Sequence, residues 1–351
     1  MQNPIPVAVL GATGSVGQRF ISLLDGHPWF RVVALAASDR SEGKPYEEAC
    51  RWVLSDPMPE WAKNMKVVSA IPQSVTDARI VFSALPAELA NGLEPEFAKK
   101  GFAVCSNASS YRRDEDVPLL LPEVNPEHVH LVETQRKNHG WSGCILTNPN
   151  CTSTGLTVAL KALDNKFGLQ KAFVVSLQAL SGAGYPGVPS LDIIDNVIPH
   201  IGGEETKVEW EPRKMLGRFS KAGIELSQAK FSAHTNRVAV IDGHIVCASV
   251  EFKQPPSPDE AIKVLREYQA PEYSRSLPSA PLPPIIVRDE PDRPQPRIDR
   301  MTGKGMTTVV GRVRNDPLFH LKFVVLSHNT IRGAAGGSIY NAELLVQEGL
   351  L

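Results

Sequence analysis

The chain has 351 residues, enough for two domains that each bury a core of their own. Hydrophobic residues make up 42% and charged residues 21%, the balance of an ordinary globular protein, and no apolar run reaches the length of a membrane span. A net charge of −1 without a long basic run gives no electrostatic footprint for nucleic acid or an anionic membrane, so neither is expected as a partner.

Val7-Ala8-Val9-Leu10 is an unbroken apolar run, the pattern of a buried parallel strand. It leads into Gly11-Ala12-Thr13-Gly14-Ser15-Val16-Gly17, after which Val16, Phe20, Leu23 and Leu24 share a helical face. Glycines let the backbone approach a pyrophosphate, and a helix N-terminus supplies N–H donors. Gly11, Thr13, Gly14, Ser15, Val16 and Gly17 are therefore candidate cofactor contacts, with a plain strand–helix turn as the competing reading. The second strand is Arg31–Ala37. In the loop after it, Ser38, Ser41 and a nearby cation suit the 2′-phosphate of NADP, while Asp39 is the residue type that receives the ribose of NAD. Residues 45–77 read as irregular, with Trp52 and Trp61 packing. Residues 78–86 and 102–106 read as further strands. After the latter, Arg112 and Arg113 stand among small polar residues, suited to an oxyanion or to a surface basic pair. The alternation predicts a parallel, doubly wound sheet with its ligands beyond the C-terminal strand ends.

Residues 144–160 carry the strongest chemical signal. Cys144-Ile145-Leu146 is a short strand, Pro149 blocks helix, and Leu156, Ala159, Leu160 and Leu163 then recur at i, i+3, i+4, i+7. Cys151 thus opens a helix, with the Thr152, Ser153 and Thr154 hydroxyls available to start it. A thiol at that position faces unpaired N–H groups and the positive dipole end, which favours the nucleophilic thiolate. The competing reading is an inert core cysteine, against which the polar neighbours argue.

The second half changes character. Residues 172–179 read as a strand, followed by Ser181-Gly182-Ala183-Gly184 as a flexible loop able to close on a ligand. Residues 199–207 precede a polar helix, with Glu204 and Lys207 on one face, a spacing that also suits a surface ion pair. Residues 237–246 read as two strands around a turn. Ala248–Phe252, Ile285–Val287, Thr307–Val313 and Leu321–Leu326 read as strands, and the Pro-rich stretch 271–297 as a long loop. After Asn329, the residues Ile339, Ala342, Leu345 and Val346 mark a helix that packs back on the first domain. The expected fold is α/β: an N-terminal Rossmann-type doubly wound parallel sheet plus an α+β domain with a mostly antiparallel sheet. The expected boundaries are 1–152, completed by 330–351, and 153–329.

The five cysteines are scattered and form no CxxC, so neither a metal site nor a disulfide framework is expected. With Met1-Gln2-Asn3-Pro4 carrying no basic leader, the reading is a cytoplasmic enzyme. A cysteine nucleophile needs a proton shuttle, for which histidine is the usual residue, but spacing alone does not choose among nine of them.

Taken together, the glycine turn, Ser109-Ser110-Tyr111-Arg112, Pro149-Asn150-Cys151-Thr152, Gln178 before Ser181-Gly182-Ala183-Gly184, Glu204 with Lys207, and Arg237 with His244 resemble the aspartate-β-semialdehyde dehydrogenase family, most closely its archaeal and fungal branch. The resemblance runs from about residue 5 to the C-terminal helix. It implies reduction of L-aspartyl 4-phosphate by NADPH to L-aspartate 4-semialdehyde and phosphate, a step toward lysine, threonine and methionine. It implies Cys151 as nucleophile and His244 as acid/base. It also implies Arg237 on the substrate carboxylate, Glu204 on the amino group, and Arg112 and Lys207 on the phosphate. Gln178 would orient the acyl group, and Asn150 would stand beside the thiol. Ser181, Gly182 and Asn329 would touch the nicotinamide half of the cofactor. The family forms homodimers and homotetramers. A reductase of CoA thioesters shares the cysteine, histidine and NADPH, and differs in the phosphate and amino pocket.

Overall fold

The computed structural model describes residues 3–220 and 223–351; Met1 and Gln2, part of the N-terminal stretch read above, lie outside the described residues. The first sheet is six-stranded, in the order β3-β2-β1-β4-β5-β6, and every pairing is parallel. Its strands are β1 (Ile5–Leu10), β2 (Phe30–Ala37), β3 (Val67–Ser69), β4 (Ile80–Ser83), β5 (Ala103–Ser106) and β6 (Cys144–Thr147). The order reverses direction at β1, where a doubly wound sheet opens a crevice for a ligand. The turn after β1 occupies that crevice. Gly11 has φ +69° there, and a Cβ on it would lie 2.8 Å from the Ala84 carbonyl oxygen. A Cβ on Gly17 would lie 2.2 Å from the Gly11 oxygen. Both positions therefore require glycine.

The second sheet holds β7 (Leu169–Gln178), β10 (Lys230–Arg237), β11 (His244–Phe252), β12 (Ile285–Arg288), β13 (Thr308–Asn315) and β14 (Leu321–Ser327), in the order β10-β7-β11-β14-β13-β12. Arg218–Ser220 and Gly223–Glu225 form a separate small hairpin, β8 and β9. The large sheet is mixed: its three central pairings are antiparallel, and the pairings at either edge are parallel. One face packs on the helix Cys151–Phe167, whose Leu156, Ala159, Leu160 and Leu163 are all fully buried in this core. The C-terminal helix Gly336–Gln347 instead places Ile339, Tyr340, Ala342 and Leu345 in the core of the first sheet. The helix expected to pack back does so.

Four readings need correction. Residues 237–246 are not a hairpin: β7 lies between β10 and β11, and the connection crosses its end. Val238 N–H donates there to the Gln178 oxygen. Ala248–Phe252 is not a separate strand but the continuation of β11. The segment 45–77 is not wholly irregular, since it holds two single-turn helices and the edge strand β3. The loop 271–297 contains two short helical turns besides β12, which stands where the strand Ile285–Val287 was expected.

Candidate active site

The sheet topology brings three side chains to the same end of three adjacent strands. Gln178 ends β7, Arg237 ends β10 beside it in register, and His244 begins β11 on the other side. From the first sheet, β6 delivers Asn150 and Cys151. Cys151 Sγ lies 3.2 Å from His244 Nε2. Gly333, in the π-helical turn Ile331–Ala335, packs so closely that a Cβ there would stand 2.7 Å from that of Cys151.

The helix that Cys151 opens is capped by Asn150, not by the three hydroxyls after it. Asn150 Oδ1 accepts from the N–H groups of Thr152 and Ser153 at 2.9 and 3.3 Å. Those donors are therefore occupied and do not face the sulfur. The expected low-pKa thiolate is corrected accordingly. Burial, and then the charge of Glu204, push the Cys151 thiol up to about 12, against the opposite pull of Arg112, Arg237 and Lys207. The resting group is a thiol.

His244 is pushed the other way. Burial, then the charges of Arg237 and His328, hold its pKa at about 3, so the ring is neutral. The backbone N–H of Ala179 donates to Nδ1 at 3.1 Å. A neutral ring whose Nδ1 accepts carries its proton on Nε2, aimed at the sulfur. The resting imidazole is thus a donor toward Cys151. It has no free lone pair at Nε2 for the thiol proton, which modifies the acid/base role implied for it.

Glu204 and Lys207 form more than a surface pair. Lys207 Nζ donates to Glu204 Oε1 at 2.7 Å, while Glu204 Oε2 accepts from Asn150 Nδ2 at 2.8 Å and Gln178 Nε2 at 3.4 Å. Glu204 is buried and opens the helix Glu204–Met215. Arg237 Nη1 donates to the Ala179 oxygen at 2.6 Å. Arg112 donates from Nη1 to Glu211 and from Nη2 to the Asn107 oxygen, each at 2.8 Å. Its Nε is buried and has no hydrogen-bond partner among the described residues. A buried guanidinium with an unused donor suits an oxyanion. Sequence reasoning missed Glu211, although Glu204, Lys207, Glu211 and Lys214 recur at i, i+3, i+7 and i+10, the spacing of one helical face.

A cleft of about 680 Å³ joins the two halves. Its walls include Thr13, Gly14, Ser15, Val16, Arg112, Asn150, Cys151, Ser181, Gly182, Glu204, Lys207 and Asn329. The helix Ser15–Leu23 begins in this wall, and its N-cap, Gly14, has no side chain to cap it. Its first N–H groups are thereby left for an anion, which fits a dinucleotide pyrophosphate. Gly11 and Gly17 shape the turn from behind without lining the cleft. Ser38 and Ser41 sit after β2 outside the cleft wall, with Ser38 exposed. Gln178, Arg237 and His244 are buried behind the wall, the last two against Gly182. Ser181-Gly182-Ala183 belongs to a short 3₁₀ turn rather than a loose loop, and Asn329 Nδ2 ties it down by donating to Ser181 Oγ at 2.7 Å.

A doubly wound dinucleotide-type sheet, with a cysteine–histidine pair and a cluster of cations in one cleft, defines a class: a nicotinamide-linked dehydrogenase with a thiol nucleophile. Comparison with known proteins narrows it. Two family models match, "Semialdehyde dehydrogenase, NAD binding domain" over residues 6–132 and "Semialdehyde dehydrogenase, dimerisation domain" over 160–332. Proteins named aspartate-semialdehyde dehydrogenase from Archaeoglobus fulgidus and Schizosaccharomyces pombe are 55% and 48% identical, each aligned over 98% of this chain and 99% of their own. The crystal structure of aspartate semialdehyde dehydrogenase with NADP from Candida albicans matches with a TM-score of 0.91 at 44% identity, over 99% of this chain and 100% of that one. The chain belongs to the aspartate-semialdehyde dehydrogenase family.

Proposed function

We propose that this protein reduces L-aspartyl 4-phosphate with NADPH to L-aspartate 4-semialdehyde and phosphate through an acyl intermediate on Cys151, in lysine, threonine and methionine synthesis. The observation that carries the reading is the 3.2 Å approach of His244 Nε2, from behind the wall, to Cys151 Sγ on a cleft whose polar groups match an amino-acid acyl phosphate. Arg237 offers a planar fork for the α-carboxylate, and Glu204 a carboxylate for the ammonium. Arg112 and Lys207 take the phosphate, Gln178 orients the acyl group, and Asn150 holds the turn. The Candida relative crystallised with NADP supports the same cofactor here. Thr13, Gly14, Ser15 and Val16 would hold its pyrophosphate, Ser38 and Ser41 its 2′-phosphate, and Ser181, Gly182 and Asn329 its nicotinamide half.

The chemistry follows from the resting protonation states. Sγ bonds to the acyl carbon, the bond from that carbon to the phosphate oxygen breaks, and the thiol proton departs on the phosphate. This balances without protonating His244, whose depressed pKa and Ala179 hydrogen bond both oppose it. Arg112 and Lys207 stabilise the leaving group's charge as it grows. NADPH, when bound, supplies the hydride that reduces the thioester carbon. His244 Nε2–H then hydrogen-bonds to the developing oxyanion and keeps its proton; the oxyanion re-forms the carbonyl as the carbon–sulfur bond breaks, and the departing sulfur takes from solvent the one proton that restores the thiol. Glu204 raises the thiol pKa in the free enzyme, and pairing it with the substrate ammonium relieves that effect at the moment of binding.

The division into a cofactor domain, 1–152 with 330–351, and a catalytic and dimerisation domain, 153–329, is supported by separate cores for the two large sheets, with Leu119, Leu121 and Val124 crossing into the second core and Leu277 and Met306 into the first. Self-association as a homodimer or homotetramer is supported by the dimerisation-domain match and by the exposed Leu191, Ile194 and Val197. Five unpaired cysteines support a cytoplasmic location. One assay tests the activity: NADP reduction with aspartate semialdehyde and phosphate, run beside malonate semialdehyde and CoA. Phosphate-dependent turnover with the first pair supports the reading, and turnover with the second pair alone refutes it.

A further inference from the structure

Glu211 lies between the two halves of the site without lining the main cleft. It stands two turns beyond Glu204 on the same helix and is 2% exposed. Its Oε1 accepts from Arg112 Nη1 at 2.8 Å, and its Oε2 accepts from the backbone N–H of Asn150 at 2.6 Å. Arg112 comes from the loop after β5, and Asn150 from the turn after β6. One carboxylate therefore ties the phosphate-clamp candidate to the residue that precedes the nucleophile. A turn further on, Lys214 Nζ donates to the carbonyls of Arg112, Asp114 and Val117 at 2.9, 2.7 and 2.8 Å. The helix face thus grips the arginine at both its guanidinium and its backbone.

We propose that Glu211 is a positioning residue that sets where Arg112 meets the substrate phosphate relative to Cys151. The proposal rests on the phosphate-dependent reaction described above. Two further facts support it. A buried ion pair contributes little net stability over an apolar replacement, so stability alone does not explain a buried acid here. In addition, with Nη1 held by Glu211 and Nη2 by the Asn107 oxygen, the guanidinium has one orientation, and Nε is the donor left without a partner. Both partners of Glu211 are donors. A glutamine offers one acceptor oxygen and an NH₂ that must face a donor. Glu211→Gln therefore releases either Arg112 or the Asn150 N–H.

The test uses the full-length enzyme with semialdehyde, inorganic phosphate and NADP. In Glu211→Gln the KM for phosphate rises by about tenfold, while that for semialdehyde stays within roughly twofold. Glu211→Asp, which keeps the charge on a shorter arm, rescues part of the loss. A residue with only a structural role would lower the active fraction, hence kcat, and leave both KM values alone. Unchanged phosphate KM, or an equal rise in both KM values, overturns the proposal. If Glu211→Gln does not fold, Glu211→Asp carries the same comparison: a rise in phosphate KM alone supports the proposal, and no rise overturns it. Phosphate-independent turnover by the unmodified enzyme would overturn the phosphorylating reaction itself, and that result is read without either variant.

Discussion

Gly182 is the point at which the turn after β7 presses on the buried half of the site. A Cβ there would stand 2.9 Å from Arg237 Nη1, 3.0 Å from His244 Cε1 and 3.1 Å from His244 Nε2. Comfortable van der Waals separation is about 3.5 Å, so one or both side chains must retreat by roughly half an ångström. Neither is free to do so. Arg237 Nη1 is held by the Ala179 oxygen at 2.6 Å, and His244 is held at Nδ1 by the Ala179 N–H and faces Sγ at Nε2. A methyl at residue 182 therefore displaces the carboxylate fork or the sulfur–imidazole pair. Misplacement by 1 Å can cost about a hundredfold in rate, so Gly182→Ala is expected to lose on the order of tenfold in kcat/KM, about 1.4 kcal/mol. Gly182 is exposed, and its φ lies outside the left-handed region, so the fold has little reason to suffer. A Tm within about 2 °C of the parent is expected. Initial rates of NADP reduction, with a thermal melt alongside, make the measurement. Parent-like kcat/KM in Gly182→Ala would refute the reasoning, as would a rate loss matched by a large fall in Tm.

Three further outcomes are expected. Ser38→Asp should erase or reverse a preference for NADP over NAD, because a carboxylate repels the 2′-phosphate; kcat/KM with each cofactor checks it, and equal efficiency of the parent on both would remove its basis. Arg237→Lys keeps the charge and loses the fork, so kcat/KM should fall about tenfold to a hundredfold; an unchanged value would place the substrate carboxylate elsewhere. With the Cys151 thiol held near 12, the thiolate fraction grows with every step in pH below that value. The rate of Cys151 alkylation in the free enzyme should accordingly rise close to tenfold per unit between about pH 7 and 9, and a plateau in that range would contradict the buried-thiol account.

The sequence was most informative where the physics is local. Val7–Leu10 and Cys144–Leu146 are buried on both faces, so they read as continuous apolar runs, and their strands are where those runs stand. The helix after Cys151 was legible because Leu156 to Leu163 face one core. Pairing was not legible. Asp242-Gly243 carries a turn signal that is the same whether the flanking strands bond to each other or to a third strand, and here β7 comes between. Val67–Ser69 is too short to show a period. Cys151 and its ring of partners were legible largely through their resemblance to a family. The sulfur's protonation state was not, because it depends first on how deeply the folded chain buries the thiol and then on Glu204 lying close in space. Glu211 had a visible spacing signal, but an acid at that position on a polar helix looks solvated until Arg112 and Asn150 are seen to donate to it.

The central claim is that Cys151 carries the acyl group. Mass spectrometry of the enzyme mixed with the acyl phosphate in the absence of NADPH tests it most directly, beside Cys151→Ala and variants of the other four cysteines. An acyl adduct on Cys151 that disappears on adding NADPH is expected. Cys151→Ala should bind NADP without turning over, and substitution of Cys50, Cys105, Cys144 or Cys247 should leave the adduct in place. An adduct on another cysteine, or near-normal turnover by Cys151→Ala, would contradict the account.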